Sequence, residues 1–96
     1  PNSTLVINSK AHYLLRREIK VDDVEVLLQR SLILDPKNDT TIYNLACAYA
    51  LNKKYKEAIT ALEKAIGMNS TWKKRARKDK DFRNLYHDQQ FIKITS

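Results

Sequence analysis

Cys47 with His12 or His87 is the one thiol–imidazole combination the chain offers, the residue types that serve nucleophilic catalysis. Such a pair works only with a third group to orient the imidazole and an oxyanion-hole loop to hold developing charge. The chain has 1 Gly, and no segment supplies either element. Cys47 reads instead as a small polarisable residue on a helix face. Two His and one Cys without close spacing give no metal-ligand signature. Asp79 and Asp81 form a carboxylate pair, but between two apolar-periodic segments they are expected to be solvated turn residues. No catalytic, cofactor-binding or metal-ligating set emerges, so the chain is expected not to be an enzyme.

The remaining chemistry is electrostatic. The 96 residues carry a formal charge of +7, and the excess is concentrated in residues 73–80, Lys-Lys-Arg-Ala-Arg-Lys-Asp-Lys. Within it, residues 73–78 fit a nuclear-import-like cluster, a set of phosphate contacts, one wall of a peptide groove, or a solvated helix face. Aromatic residues are not interleaved with the cations and no nucleic-acid motif is present, which disfavours a nucleic-acid partner.

The elements that must position these residues are helical. One Gly and two Pro leave too few turn formers for a β protein. A chain of this length buries only ~60–65% of its unfolded surface, which leaves no room for a deep cleft plus a cofactor fold. One cysteine excludes an internal disulfide, and no run approaches 18 apolar residues, so no membrane span is expected. The chain opens on Pro1, so it is expected to be a piece of a longer protein.

Periodicity and caps predict helices over 5–18, 22–34, 40–51, Tyr55–Met68 and from Trp72 to Lys78. Asp79-Lys80-Asp81 breaks the fifth, and Phe82, Leu85, Tyr86, Phe91, Ile92 and Ile94 are spaced for one or two short closing helices. Asn2-Ser3-Thr4, Asn38-Asp39-Thr40 and Asn69-Ser70-Thr71 fit the N-glycosylation pattern. Each also stands where a helix needs a cap, and capping is the reading adopted.

The second and fourth helices are related by a shift of 34 residues: Asp23-Val24 with Glu57-Ala58, Leu28 with Leu62, Ser31 with Ala65, Leu32 with Ile66, Leu34 with Met68. This period, with small residues where helices must approach, predicts an all-α helical-hairpin solenoid. Over residues 39–72, Ile42, Leu45-Ala46, Tyr49, Ala58, Leu62 and Ala65 resemble the signature of the tetratricopeptide repeat family, with Ser70 where Pro is usual. Residues 5–38 resemble it through Ala11, Leu15, Val24, Leu28, Ser31 and Pro36, and depart from it at Asn8 and His12. The tail resembles the truncated closing segment of such arrays. The resemblance implies a right-handed solenoid of two repeats, 5–38 and 39–72, and a capping segment, 73–94, in a single domain.

It also implies a function: non-enzymatic binding of a peptide or partner segment on a concave face lined by the first helix of each repeat. Carried over by position, that face holds Ser9, Lys10, Tyr13, Arg16 and Arg17, then Tyr43, Asn44 and Cys47, then Lys74, Arg77 and Lys78. Asn44, Lys74 and Lys78 fall where co-chaperone repeats hold a terminal carboxylate, but Ser9 and Tyr13 stand where Lys and Asn would complete that clamp. The expected surface is thus cationic with exposed tyrosines, drawn from Lys10, Tyr13, Arg17, Tyr43, Asn44, Lys74, Arg77 and Lys78, and suited to an acidic segment or a free C-terminus. The rivals are nucleic-acid binding through 73–83 and self-association through the solenoid ends.

Overall fold

The computed structural model describes residues 21–96, and every described element is helical, without a strand. The helix expected at 5–18, and with it Ser9, Lys10, His12, Tyr13, Arg16 and Arg17, lies outside the described residues.

Helix α1 (Val21–Leu34) buries Val24, Leu28 and Ser31, steps of four and three that put all three on one stripe. Pro36 cannot continue it, and the chain turns through an Asn38 N–H to Asp35 carbonyl bond of 3.2 Å. Asn38 then caps α2 (Asp39–Leu51): its backbone is extended and its side-chain oxygen accepts from the Thr41 N–H at 3.1 Å. Asp39 adds a carboxylate to the first turn, where the helix dipole favours it.

Helix α2 is the centre of the fold. Residues Thr41 to Ala48 are all buried, as a helix flanked on several sides must be. It packs most extensively against α3 (Tyr55–Met68), then against α1 and the closing segment. Ala46, Ala48 and Ala50 on α2 and Ala58 and Ala65 on α3 let helix axes approach to about 8–10 Å. Ala58, Leu62 and Ala65 form the inward stripe of α3 and Ile59 joins them, while Ala61 and Ile66, which the periodicity also turns inward, are half-buried.

A Schellman turn ends α2. Lys54 N–H reaches the Tyr49 carbonyl at 2.8 Å and Lys53 N–H the Ala50 carbonyl at 3.1 Å, with Lys53 in the left-handed region at φ 61°. Glu25 of α1 is drawn into this turn: Lys54 Nζ pairs with one of its oxygens at 3.0 Å and Asn52 Nδ2 donates to the other at 2.7 Å. A buried carboxylate is tolerated here because both oxygens are satisfied.

The chain closes with α4 (Trp72–Lys78), a 3₁₀ segment (Lys80–Leu85) and α5 (Gln89–Thr95). The first of the two expected closing helices is therefore 3₁₀, started by Asp79, whose side chain accepts from Asp81 N–H at 3.0 Å. Asp88 caps α5 through Phe91 N–H at 2.9 Å. Phe82, Leu85 and Phe91 are buried, and the 3₁₀ segment covers α2 while α5 covers α4 and α3. Among the described residues no helix is long and apolar enough to cross a membrane.

Asn69-Ser70-Thr71 is not the cap expected of it. The N-cap position of α4 is Thr71, which makes no side-chain cap bond. Asn69 instead folds back on Thr71, accepting from its N–H and hydroxyl, and donates to Asp39 at 3.2 Å. Its amide is spent on joining two helix starts.

Lys53 bears a side chain in a conformation that costs glycine far less. Lys53→Gly is expected to stabilise the chain by about 0.5–1 kcal/mol, read as a higher urea midpoint at unchanged slope. A lower midpoint would mean that the turn tolerates the left-handed lysine without strain.

Candidate peptide-binding surface

The candidate surface is made where α4 meets the N-terminal half of α2. Tyr43 of α2 stacks on Trp72 of α4, with centroids 4.1 Å apart and planes 15° from parallel, and meets Phe82 edge-on at 5.7 Å. Stacked and edge-on aromatic pairs contribute about 0.5–1.5 kcal/mol each beyond the area they bury. Both polar tips of the stacked pair end on a carboxylate. Tyr43 Oη donates to Asp79 Oδ2 at 2.7 Å, and Trp72 Nε1 donates to Asp39 Oδ2 at 2.7 Å. The Trp72 indole N–H is the main reason the Asp39 carboxyl titrates below its ordinary range.

Asp79 is a hub and not the solvated turn residue expected from its position. One oxygen accepts from Tyr43 and, at 3.9 Å, from the Cys47 thiol; the other accepts from Asp81 N–H, and its carbonyl accepts from Tyr86 Oη at 2.6 Å. Turn composition suggested solvent, but α2 presents a phenol and a thiol that need an acceptor. Burial, then the negative neighbours, pushes the titration of Tyr43 and Cys47 far above their usual ranges.

A thiol held protonated under a carboxylate is the reverse of an activated nucleophile, so the thiol–imidazole idea has no geometry behind it in Cys47. His87 is exposed in the turn before α5. Cys47, Asp79 and Asp81 do place their sulfur and oxygens within 4.8 Å of one another. The hydrogen bonds of Tyr43, Cys47 and the Asp81 N–H account for this grouping as a latch between α2 and the closing segment.

The expectation of exposed tyrosines is corrected at position 43. Tyr43 is 1% exposed, because its ring lies beneath Trp72 and against Phe82. Asn44 is also buried, at 5% exposure, and Cys47 at 2%. Lys74, Arg77 and Lys78 are exposed and form no ion pair with any described residue. The expected site is thus divided: three cations stand on the surface of α4, Tyr43 lies beneath Trp72, Asn44 and Cys47 are buried on α2, and Lys10, Tyr13 and Arg17 lie outside the described residues.

Sequence reasoning passed over Arg75. Its guanidinium carbon lies 5.8 Å from the Tyr43 ring centroid and 5.7 Å from that of Trp72, within cation–π range. Trp72 and Arg75 are one helical turn apart, a signal present in the sequence. The Tyr43 contact joins separate helices and left no local trace.

Tyr43→Phe removes one charge-assisted hydrogen bond and is expected to cost about 1.5–3 kcal/mol in urea unfolding, with the stack intact. The raised titrations also carry a sign. The unfolded chain sheds the Cys47 and Tyr43 protons near 9.0 and 10.0, while the folded chain keeps both. Stability is therefore complete below pH 9 and declines as pH rises beyond it. Cys47→Ala should flatten that alkaline decline; an unchanged slope would mean the thiol is not held protonated.

Residues 40–72 match the family model described as tetratricopeptide repeat. No curated protein and no solved structure matches the chain.

Proposed function

Residues 40–72 are a tetratricopeptide repeat, and from that premise we propose that the chain binds an acidic segment or the C-terminal carboxylate of a partner protein on the cationic side of α4. Repeats of this family are protein–protein interaction modules, generally without catalytic activity. The observation that carries the finer reading is the state of Lys74, Arg77 and Lys78: exposed, close together on one short helix, and unneutralised by any described residue. Surface cations repel one another modestly, and carboxylates of a partner relieve that repulsion while forming charge-assisted hydrogen bonds.

Nucleic acid is the weaker candidate for the same charge. Sequence-tolerant binding of single strands uses exposed aromatic faces on which bases stack. Here the aromatic pair beside the cations is closed on itself, Tyr43 against Trp72.

A labelled Asp/Glu-rich peptide titrated into the 96-residue chain tests the reading. Lys74→Glu/Lys78→Glu should weaken binding by about tenfold or more while leaving helical content unchanged. Equal affinity in the variant, or no binding by the wild type, would remove the proposal. Tighter binding of a mixed-sequence oligonucleotide, collapsing steeply with added salt, would hand the surface to nucleic acid.

A further inference from the structure

The cations of α4 are not equivalent. Lys74, Arg77 and Lys78 make no cation–π contact with a described aromatic residue, whereas the Arg75 guanidinium lies within 5.8 Å of both rings of the Tyr43–Trp72 stack. The rings themselves are fixed, Tyr43 by Asp79 and Trp72 by Asp39, each through a 2.7 Å hydrogen bond. Those two bonds also turn the carboxylates of Asp79 and Asp39 toward Oη and Nε1. Arg75 forms no hydrogen bond or ion pair with any described residue. It is exposed, with its N–H donors unspent on any described residue.

We propose that Arg75 is the specificity-determining cation of this surface, held by the Tyr43–Trp72 stack so that its planar fork binds one carboxylate of the partner in bidentate fashion. The inference rests on the acidic-segment reading and assigns the selectivity within it. An arginine steadied by aromatic rings gives up less side-chain freedom on binding than a free lysine does. Its fork matches the two oxygens of a carboxylate, which a point charge on a flexible stem does not. The flanking lysines then attract the acidic segment, and Arg75 sets its register. The carboxylate is either the chain terminus or an Asp or Glu side chain, chemically the same ligand for the fork.

Three labelled hexapeptides separate these sources: an Asp/Glu-rich peptide with a free C-terminus, its C-terminal amide, and a neutral peptide with a free C-terminus. Each is titrated into wild type, Arg75→Lys and Lys74→Arg. Arg75→Lys, which keeps the charge, should weaken binding by about tenfold, and Lys74→Arg by less than about twofold. If the loss disappears with the amide, Arg75 holds the terminal carboxylate; if it persists, Arg75 holds a side chain. Both results support the assignment.

Trp72 is the single tryptophan of the chain, so its emission reports on the stack beneath Arg75 without any substitution. Binding of peptide to wild type should shift Trp72 fluorescence with the affinity measured from the label. Arg75→Lys binding as tightly as wild type, or bound peptide that leaves Trp72 emission unchanged, overturns the role of Arg75 and leaves the acidic-segment reading standing. Wild type that binds none of the three peptides overturns that reading, and the assignment with it.

Discussion

A phenol, an indole and two carboxylates hold the second half of this molecule in register. Without the bonds from Tyr43 to Asp79 and from Trp72 to Asp39, the closing segment would rest on α2 almost entirely through apolar contact, which has no preferred direction. With it, one oxygen fixes the depth of the tyrosine while the other starts the 3₁₀ turn that brings Phe82 over α2. The Trp72 to Asp39 bond performs the same service at the other end of the stack, tying the start of α4 to the start of α2. Stacking supplies adhesion, and the two carboxylates supply geometry. In a partly desolvated setting such hydrogen bonds are electrostatically stronger than in water, and leaving either partner unmatched is costly.

The arrangement explains how the α2–α3 hairpin covers one of its faces. A helical hairpin has apolar surface on two sides, and each side must be covered by another element. Here the cover is a seven-residue helix, a 3₁₀ turn and another short helix, none long enough to be stable alone. Their order comes from what they touch: Ala76, Phe82, Leu85 and Phe91 enter the core, and the polar side of α4 is left outward. The exposed cations of α4 are therefore a by-product of covering the hairpin, because the residues that do not face it are those free to carry charge.

Much of this was legible in the sequence because it is periodic. The inward stripes of α1 and α3 announce themselves through steps of three and four, and Asn38 through its place before an apolar run. The helix ends at Leu51, Met68 and Lys78 follow from polar residues that interrupt that pattern. What could not be read was the fate of individual polar side chains. Asp79 looks like a turn residue by composition, and Tyr43 looks like a groove residue by register. Only the approach of α2 to the closing segment makes one the acceptor of the other. Asn69 likewise had the composition of a cap, but its partner Asp39 sits on another helix. Side-chain partnerships across helices depend on three-dimensional approach and leave no period behind.

One feature of the latch reaches beyond recognition. The chain's single sulfhydryl, Cys47, lies directly beneath Asp79, shut off from solvent by the segment that the aspartate begins. Any excursion that lifts this segment uncovers a reactive sulfur; any that leaves it seated does not. Partial openings of this kind occur in folded proteins at free energies well below that of complete unfolding. The molecule thus carries a one-time marker: a group covalently attached to that atom reports that the segment has opened at least once.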